Sequence, residues 1–297
     1  MSPRSRKNQI SHFNVMVVGF SGVGKTSFVR TLLETLSLDQ ANTIASNGGK
    51  KRQIEVEKKE RIILTIIDTP GFGAEYLVDK QLHDITKYIE HQFDLTLQEE
   101  SKVKRNPKAV DTQVHCCLYF IDPKKSALDE FDIRILKRLS NRVNVIPIIG
   151  KADNLTLAQR NRLKPSIIKD IYTTYKIPIY GMPDEEDDDE DDDDDDEGSK
   201  KEAKPTTLDQ FLQQFDYEKE DNDTQSLGRD FGWGSIDCLG EKYSDFVKLK
   251  HMLLSSHRRY LQLDTVERYY EQYRTERLMY KRATKIGMVA PPVAPSS

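Results

Sequence analysis

Residues 19–26, Gly-Phe-Ser-Gly-Val-Gly-Lys-Thr, constrain this chain more than any other stretch. They spell G-x-x-x-x-G-K-[ST]. The apolar run Phe13 to Val18 before them predicts a buried strand, and Ser27 to Leu33 after them predicts a helix. A loop of this kind, set between a strand and a helix, turns backbone N–H groups onto phosphate oxygens. The positive end of the helix adds to the attraction. Lys25 is placed to neutralise β- and γ-phosphates, and the Thr26 hydroxyl to reach Mg²⁺. Gly19, Ser21, Gly22, Gly24 and Ser27 complete the candidate cradle.

The rest of the pattern alternates strands and helices. Residues 54–57 and 61–67 read as a hairpin, 114–121 and 143–149 as buried strands, and 177–180 as a short strand. Helices are predicted near 79–100, 129–139, 157–175 and through most of 244–282. The polar, glycine-bearing stretch 37–52 reads as a loop. This alternation implies an α/β fold, a doubly wound, mostly parallel sheet with helices on both faces.

The chain has 297 residues and a net charge of −4. That average hides an uninterrupted run of 14 acidic residues from Asp184 to Glu197. Without the run, 45 basic residues face 35 acidic ones, a net charge of +10. So dense a run of like charge cannot pack, and an acidic, solvated insert over 184–203 is expected. Cys116 and Cys117 lie in an apolar run, which points to buried thiols. With Cys238 they form no disulfide framework, which fits a reducing compartment. No apolar run approaches the roughly 20 residues of a spanning helix. A cytosolic or membrane-peripheral protein is expected.

Two further pieces narrow the ligand. Asp68-Thr69-Pro70-Gly71 ends an apolar strand, where the carboxylate can hold Mg²⁺ through water and the Gly71 N–H can meet a γ-phosphate. Gly150-Lys151-Ala152-Asp153 follows another apolar strand. A carboxylate at Asp153 can accept both N–H groups of the guanine edge, a pair adenine lacks, and the Lys151 stem can cover the base. The three motifs, in this order, describe a Ras-like P-loop GTPase holding GTP or GDP with Mg²⁺.

At this point the chain resembles the septins, filament-forming GTP-binding proteins. The likeness runs over about residues 12–280 and is carried by Asp68 to Gly73, Val114 to Ile121, and Val143 to Ile149 leading into the Lys-Ala-Asp turn. Glu100-Ser101 to Asn106-Pro107 is similar to fungal septins. Trp233-Gly234, Asp245 to Lys250, His257 and Tyr270 to Leu278 resemble the septin unique element, here about 229–282, with 1–11 a basic lead and 283–297 a tail. The resemblance implies that Arg229 packs its planar guanidinium on the guanine base. It implies hetero-oligomers with other septin subunits, filaments at a division-site cortex, and contact with anionic phospholipid. The basic clusters offered for that contact are Arg4-Arg6-Lys7, Lys50 to Arg52, Lys102-Lys104-Arg105 and Arg258-Arg259. Without stacking aromatics among them, nucleic-acid binding is not expected.

Several positions depart from the family pattern. Phe72 follows Gly71 where other GTPases carry a catalytic Gln, and only Thr43 and Ser46 offer themselves for the switch-loop Thr. Loss of the positioning groups implies very slow hydrolysis or none. Ser126, Asn154 and Gln159 stand where family members place a His, a Thr and a Glu against the neighbouring subunit's nucleotide, and Gln113 replaces an Arg. No sustained heptads follow Leu278, so partner choice is expected to rest on globular faces, including a stripe of Val266, Tyr269, Tyr270 and Tyr273 that reads equally as an assembly face or as core. A cycling GTPase and a nucleotide-free terminal subunit remain as alternatives.

Overall fold

The computed structural model describes residues 9–38, 42–46, 49–57, 60–104, 110–181, 228–230, 235–237, 239–240 and 244–285. The acidic run, Arg4 to Lys7, Arg105, Trp233 and Cys238 lie outside the described residues.

The apolar run after the N-terminal lead forms β1 (Gln9–Gly19), and α1 (Lys25–Leu38) follows its loop. Strands β2 (Asn42–Ser46), β3 (Gly49–Glu57) and β4 (Glu60–Asp68) come next, then the long α2 (Glu75–Glu100). After them come β5 (Cys116–Ile121), α3 (Glu130–Ser140), β6 (Val145–Ile149) and α4 (Leu157–Lys169). A short hairpin, β7 (Gly228–Asp230) with β8 (Ser235–Asp237), precedes α5 (Phe246–His251), α6 (Arg258–Asp264) and α7 (Glu271–Lys285). The main sheet has the order β2-β3-β4-β1-β5-β6; β4, β1, β5 and β6 run parallel, and β2 and β3 add antiparallel at one edge.

Strand periodicity explains the two cores. Val15 and Val17 of β1 and Cys116, Leu118 and Phe120 of β5 face α1 and α5. Met16, Val18, Cys117, Tyr119 and Ile121 face α2, α3 and α4. Both faces are apolar because both are covered, as parallel sheets require. Helix α2 supplies Val78, Leu82, Thr86, Ile89, Phe93 and Leu97, a stripe at the helical period. Asp129 caps α3 in a box with Asp132, and Thr156 caps α4 in a box with Gln159. Both cysteines of the Cys116-Cys117 pair are buried free thiols, as expected.

Two expectations are corrected. Residues 37–52, read as a loop, contain β2 and part of β3. Strand β4 pairs with β1 on one side, and its other edge needs backbone partners; that demand outweighs a polar composition. Residues 177–180 form no strand. Tyr180 N–H reaches Val145 O at 3.1 Å, but Pro178 carries no donor to continue a ladder.

The C-terminal helices pass beneath the N-terminal ends of β5 and β6. The buried Asn144 amide donates to His115 O at 3.0 Å, Leu261 O at 3.1 Å and Thr265 Oγ1 at 3.3 Å. Thr265 Oγ1 in turn lies 2.7 Å from Leu261 O. Buried Arg258 donates to Ser11 Oγ and Gln262 Oε1, so it belongs to this seam and not to a lipid-facing cluster. Tyr269, Tyr270 and Tyr273 are core, packed on Phe93 and its neighbours; of the proposed assembly stripe only Val266 is exposed. Glu276 pairs with Arg142, which also holds Glu90. Thr265→Val deletes a buried hydroxyl and strands the groups it serves. We expect a loss of about 1–3 kcal/mol, read as a lower urea midpoint with an unchanged slope.

Candidate functional site

The loop after β1 opens at Gly19 and closes at Gly24, whose φ of +102° suits only glycine before α1 begins at Lys25. Lys25 folds back over the loop. Its Nζ donates to Gly19 O at 2.9 Å and Phe20 O at 2.6 Å, and the side chain is nearly fully buried. Burial lowers its pKa, and the nearby Asp68 carboxylate opposes that shift. Asp68 ends β4, where the parallel register sets it opposite Val17 of β1. Thr26 Oγ1 therefore reaches Asp68 Oδ2 at 2.9 Å. A hydroxyl and a carboxylate converging beside a phosphate loop are hard oxygen donors of the kind Mg²⁺ takes. Among the described residues no group of three or more His, Cys, Asp or Glu gathers as a separate metal site.

The second half of the site comes from β6. Gly150 N–H donates to Ile121 O at 2.9 Å, which fixes the turn against β5. A Cβ on Gly150 would lie 2.3 Å from Val23 O, so the turn and the phosphate loop touch through a position only glycine can fill. Lys151 then adopts a left-handed φ of 47°, and its Cγ lies along Gly24. Asp153 sits in the single turn Ala152–Asn154 at the rim. Ser21, Gly22, Gly24, Lys25, Thr26, Ser27, Asp68, Gly71, Lys151 and Asp153 all line one cavity of about 1640 Å³. Gly19 lies beneath it, with its carbonyl bound by Lys25 and by Phe72 N–H. Arg229 is in β7, paired with Ile236; its side chain lies outside the described residues, although Asp237 at the end of the same hairpin lines the cavity.

Other sequence candidates are not gathered here. Thr43 and Ser46 fall in β2, three strands from β1 and roughly 14 Å away at a typical strand spacing. Gln159 spends its side chain in the α4 cap, accepting from Thr156 N at 2.9 Å.

The structure adds residues that the motifs do not contain. Phe72 is 2% exposed, and its ring packs on Phe20 at 5.6 Å. Lys125 Nζ lies 4.8 Å from the centre of the Phe20 ring. It is anchored by Asp129 and the buried Asp132, each at 2.5 Å, and Tyr119 OH donates to Asp132 at 2.6 Å. Burial raises the Asp132 carboxyl above its usual value, while for Lys125 burial is outweighed by the two carboxylates, which hold it protonated. Gln81 reaches back from α2 to Gly71 O at 3.4 Å and Gly73 N at 3.1 Å. The spacing Lys125, Asp129, Asp132 is a readable signal; Gln81 has none.

The Septin family model matches residues 9–286. Cell division control protein 11 of Saccharomyces cerevisiae is 36% identical over 277 residues, covering 90% of this chain and 66% of its own length. Its crystal structure superposes with a TM-score of 0.53 at 30% identity, over 89% of this chain and 99% of that one. Septation protein 7 of Candida albicans is 35% identical over 320 residues, covering 90% of this chain and 48% of its own. This chain thus spans two thirds or less of those relatives. A septin GTPase domain from Chlamydomonas reinhardtii shares the fold, with a TM-score of 0.62 at 18% identity over 90% of this chain and 99% of that one.

The contact of Gly150 with Val23 O joins the two halves of the cavity. Gly150→Ala should lower the thermal midpoint by several degrees and weaken ligand binding at both the phosphate and base ends. An alanine variant with unchanged midpoint and binding would contradict that contact.

Proposed function

The chain belongs to the septin family, and from that premise we propose that it is a guanine-nucleotide-binding septin subunit of hetero-oligomeric filaments, with GTP hydrolysis slow or absent. The observation that carries the reading is the assembly of Lys25, Thr26 and Asp68 with Gly150, Lys151 and Asp153 along one sheet edge. That edge lies at the carboxyl ends of parallel strands, where doubly wound folds bind ligands.

Each residue has a physical task. The backbone N–H groups of Gly22, Gly24, Lys25 and Thr26 cradle phosphates, with Ser21 lining the loop while its own N–H holds Phe72 O, Gly19 shaping the turn and Ser27 opening the helix. Lys25 supplies a fixed positive charge that burial has already stripped of water. Thr26 and Asp68 would hold Mg²⁺, which would supply charge neutralisation at the phosphates. Gly71 faces the terminal phosphate. Asp153 reads the guanine edge, Lys151 covers one face of the base and Arg229 the other.

Slow hydrolysis follows from what surrounds Gly71. Phe72 is apolar and buried, Gln81 is bonded to the turn, and Thr43 is strands away. None of the three is free to orient water. The nucleotide then serves as a structural cofactor that ties loops to the sheet, and the protein serves as a scaffold in cytokinesis. Two relatives are named for cell division and septation, which supports a cytoskeletal location at the division-site cortex.

The test is competition for a fluorescent GDP on the purified full chain. GDP and GTP should displace it and ATP should not. Asp153→Ala should weaken guanine binding about a hundredfold, the cost of hydrogen bonds to a charged acceptor. Equal competition by ATP, or an Asp153→Ala protein that binds as tightly as the parent, would overturn the reading.

A further inference from the structure

The phosphate loop has few side chains with which to hold its own shape. Gly19, Gly22 and Gly24 have none, and Ser21 is exposed. That leaves Val23, buried in the core on the α1 side of the sheet, and Phe20. Whatever fixes the Phe20 ring therefore fixes the loop backbone on either side of it. The Gly19 and Phe20 carbonyls in that stretch are the two that Lys25 Nζ bonds, at 2.9 and 2.6 Å.

The ring is fixed from two sides of the fold. Phe72 packs on it with 5.6 Å between ring centroids. Lys125 Nζ stands over it, 4.8 Å from its centre. Lys125 is held there by contacts that begin in the sheet. Tyr119 of β5 donates its buried hydroxyl to Asp132 Oδ1 at 2.6 Å. Asp132 lies in the first turn of α3, its side chain fully buried, and its Oδ2 meets Lys125 Nζ at 2.5 Å. Asp129, the cap of the same helix, meets Lys125 Nζ at 2.5 Å as well. The turn Asp122-Pro123-Lys124-Lys125 delivers the lysine. Lys125 N–H closes it on Asp122 O at 3.2 Å, and Lys124 N–H donates to Asp122 Oδ1 at 3.0 Å. Burial works against the Lys125 charge, but the two carboxylates outweigh it and raise its pKa. A cation held still in this way loses little further freedom in facing the ring.

We propose that Lys125 is a positioning residue for the phosphate end of the site, acting through Phe20 to hold the loop ready for phosphates. The proposal rests on the guanine-nucleotide reading above and adds a residue outside the motifs that carry it. A preformed loop leaves less backbone to order on binding, so Lys125 raises affinity for a ligand that bears phosphates. The guanine base meets Lys151 and Asp153 from the end of β6, and its share of the affinity does not pass through Phe20.

The experiment compares GDP with guanosine, which has the base and lacks the phosphates, by competition against fluorescent GDP on the purified full chain. Lys125→Met should weaken GDP about three- to tenfold, the effect of losing a desolvated cation over a ring, and leave guanosine unchanged. Lys125→Arg keeps the charge, the carboxylate partners and the ring contact, and should bind GDP within about twofold of the parent. Phe20→Leu removes the ring and leaves the ion pairs. It should weaken GDP as Lys125→Met does, and the two changes together should cost no more than either alone. In the nucleotide-free chain, amide exchange over residues 20–23 should quicken in Lys125→Met. Equal losses for GDP and guanosine, additive losses in the double variant, or unchanged GDP binding in Lys125→Met would each overturn the role of Lys125 and leave the guanine reading intact. A parent chain that binds neither ligand would overturn the guanine reading and this role together. Should Lys125→Met fail to fold, Asp129→Asn decides in its place, because it keeps the helix cap and takes one carboxylate charge from Lys125. It should weaken GDP and spare guanosine, and a GDP affinity equal to the parent's would overturn the proposal.

Discussion

The parallel pairing of β1 with β4, in the register that sets Val17 opposite Asp68, is the constraint on which the site depends. It brings the end of one strand beside the end of the other, so that the phosphate loop and the acidic turn meet without any long-range side-chain adjustment. A slip of one residue would send Asp68 to the other face and break the Thr26 contact. The register is itself fixed by burial. Ile62, Leu64 and Ile66 of β4 face α1 on one side, as do Phe13, Val15 and Val17 of β1. The hydrophobic pattern and the Thr26–Asp68 pair are therefore one specification.

The same economy operates on the other side of β1. Strand β5 pairs with it in parallel and carries β6, whose end delivers the Gly150 to Asp153 turn to the cavity. The opposite edge of the sheet is used differently. There Asn144, His115 and Thr265 form a buried polar seam against the C-terminal helices. A buried seam of this kind specifies position, because each missing partner costs more than the bond gained. The C-terminal helices thus dock at one end of the sheet while the residues that line the cavity gather at the other.

Much of this was legible in the residues. The strand-loop-helix at 13–33, the Asp68 turn and the Gly150 turn were readable because each joins a short motif to an apolar flank, and both kinds of signal are local. The strand residues within 42–52 were not, although 54–57 was, because what makes them strands is the open edge of β4 and not their own composition. The tyrosines of 269–273 pointed equally to core and to an assembly face, and burial against Phe93 decided for core. Arg258 looked like surface charge until its partners on Ser11 and Gln262 were seen. Gln81 was invisible for a different reason: its role comes from a ten-residue reach across a turn, which no periodicity announces.

The central claim is that a guanine nucleotide is a structural part of this protein. The most direct measurement is to denature the purified full chain and identify the released base and its phosphate count by chromatography. The account predicts close to one guanine nucleotide per chain, persisting through purification. A chain that releases none, or releases adenine nucleotide, would contradict it.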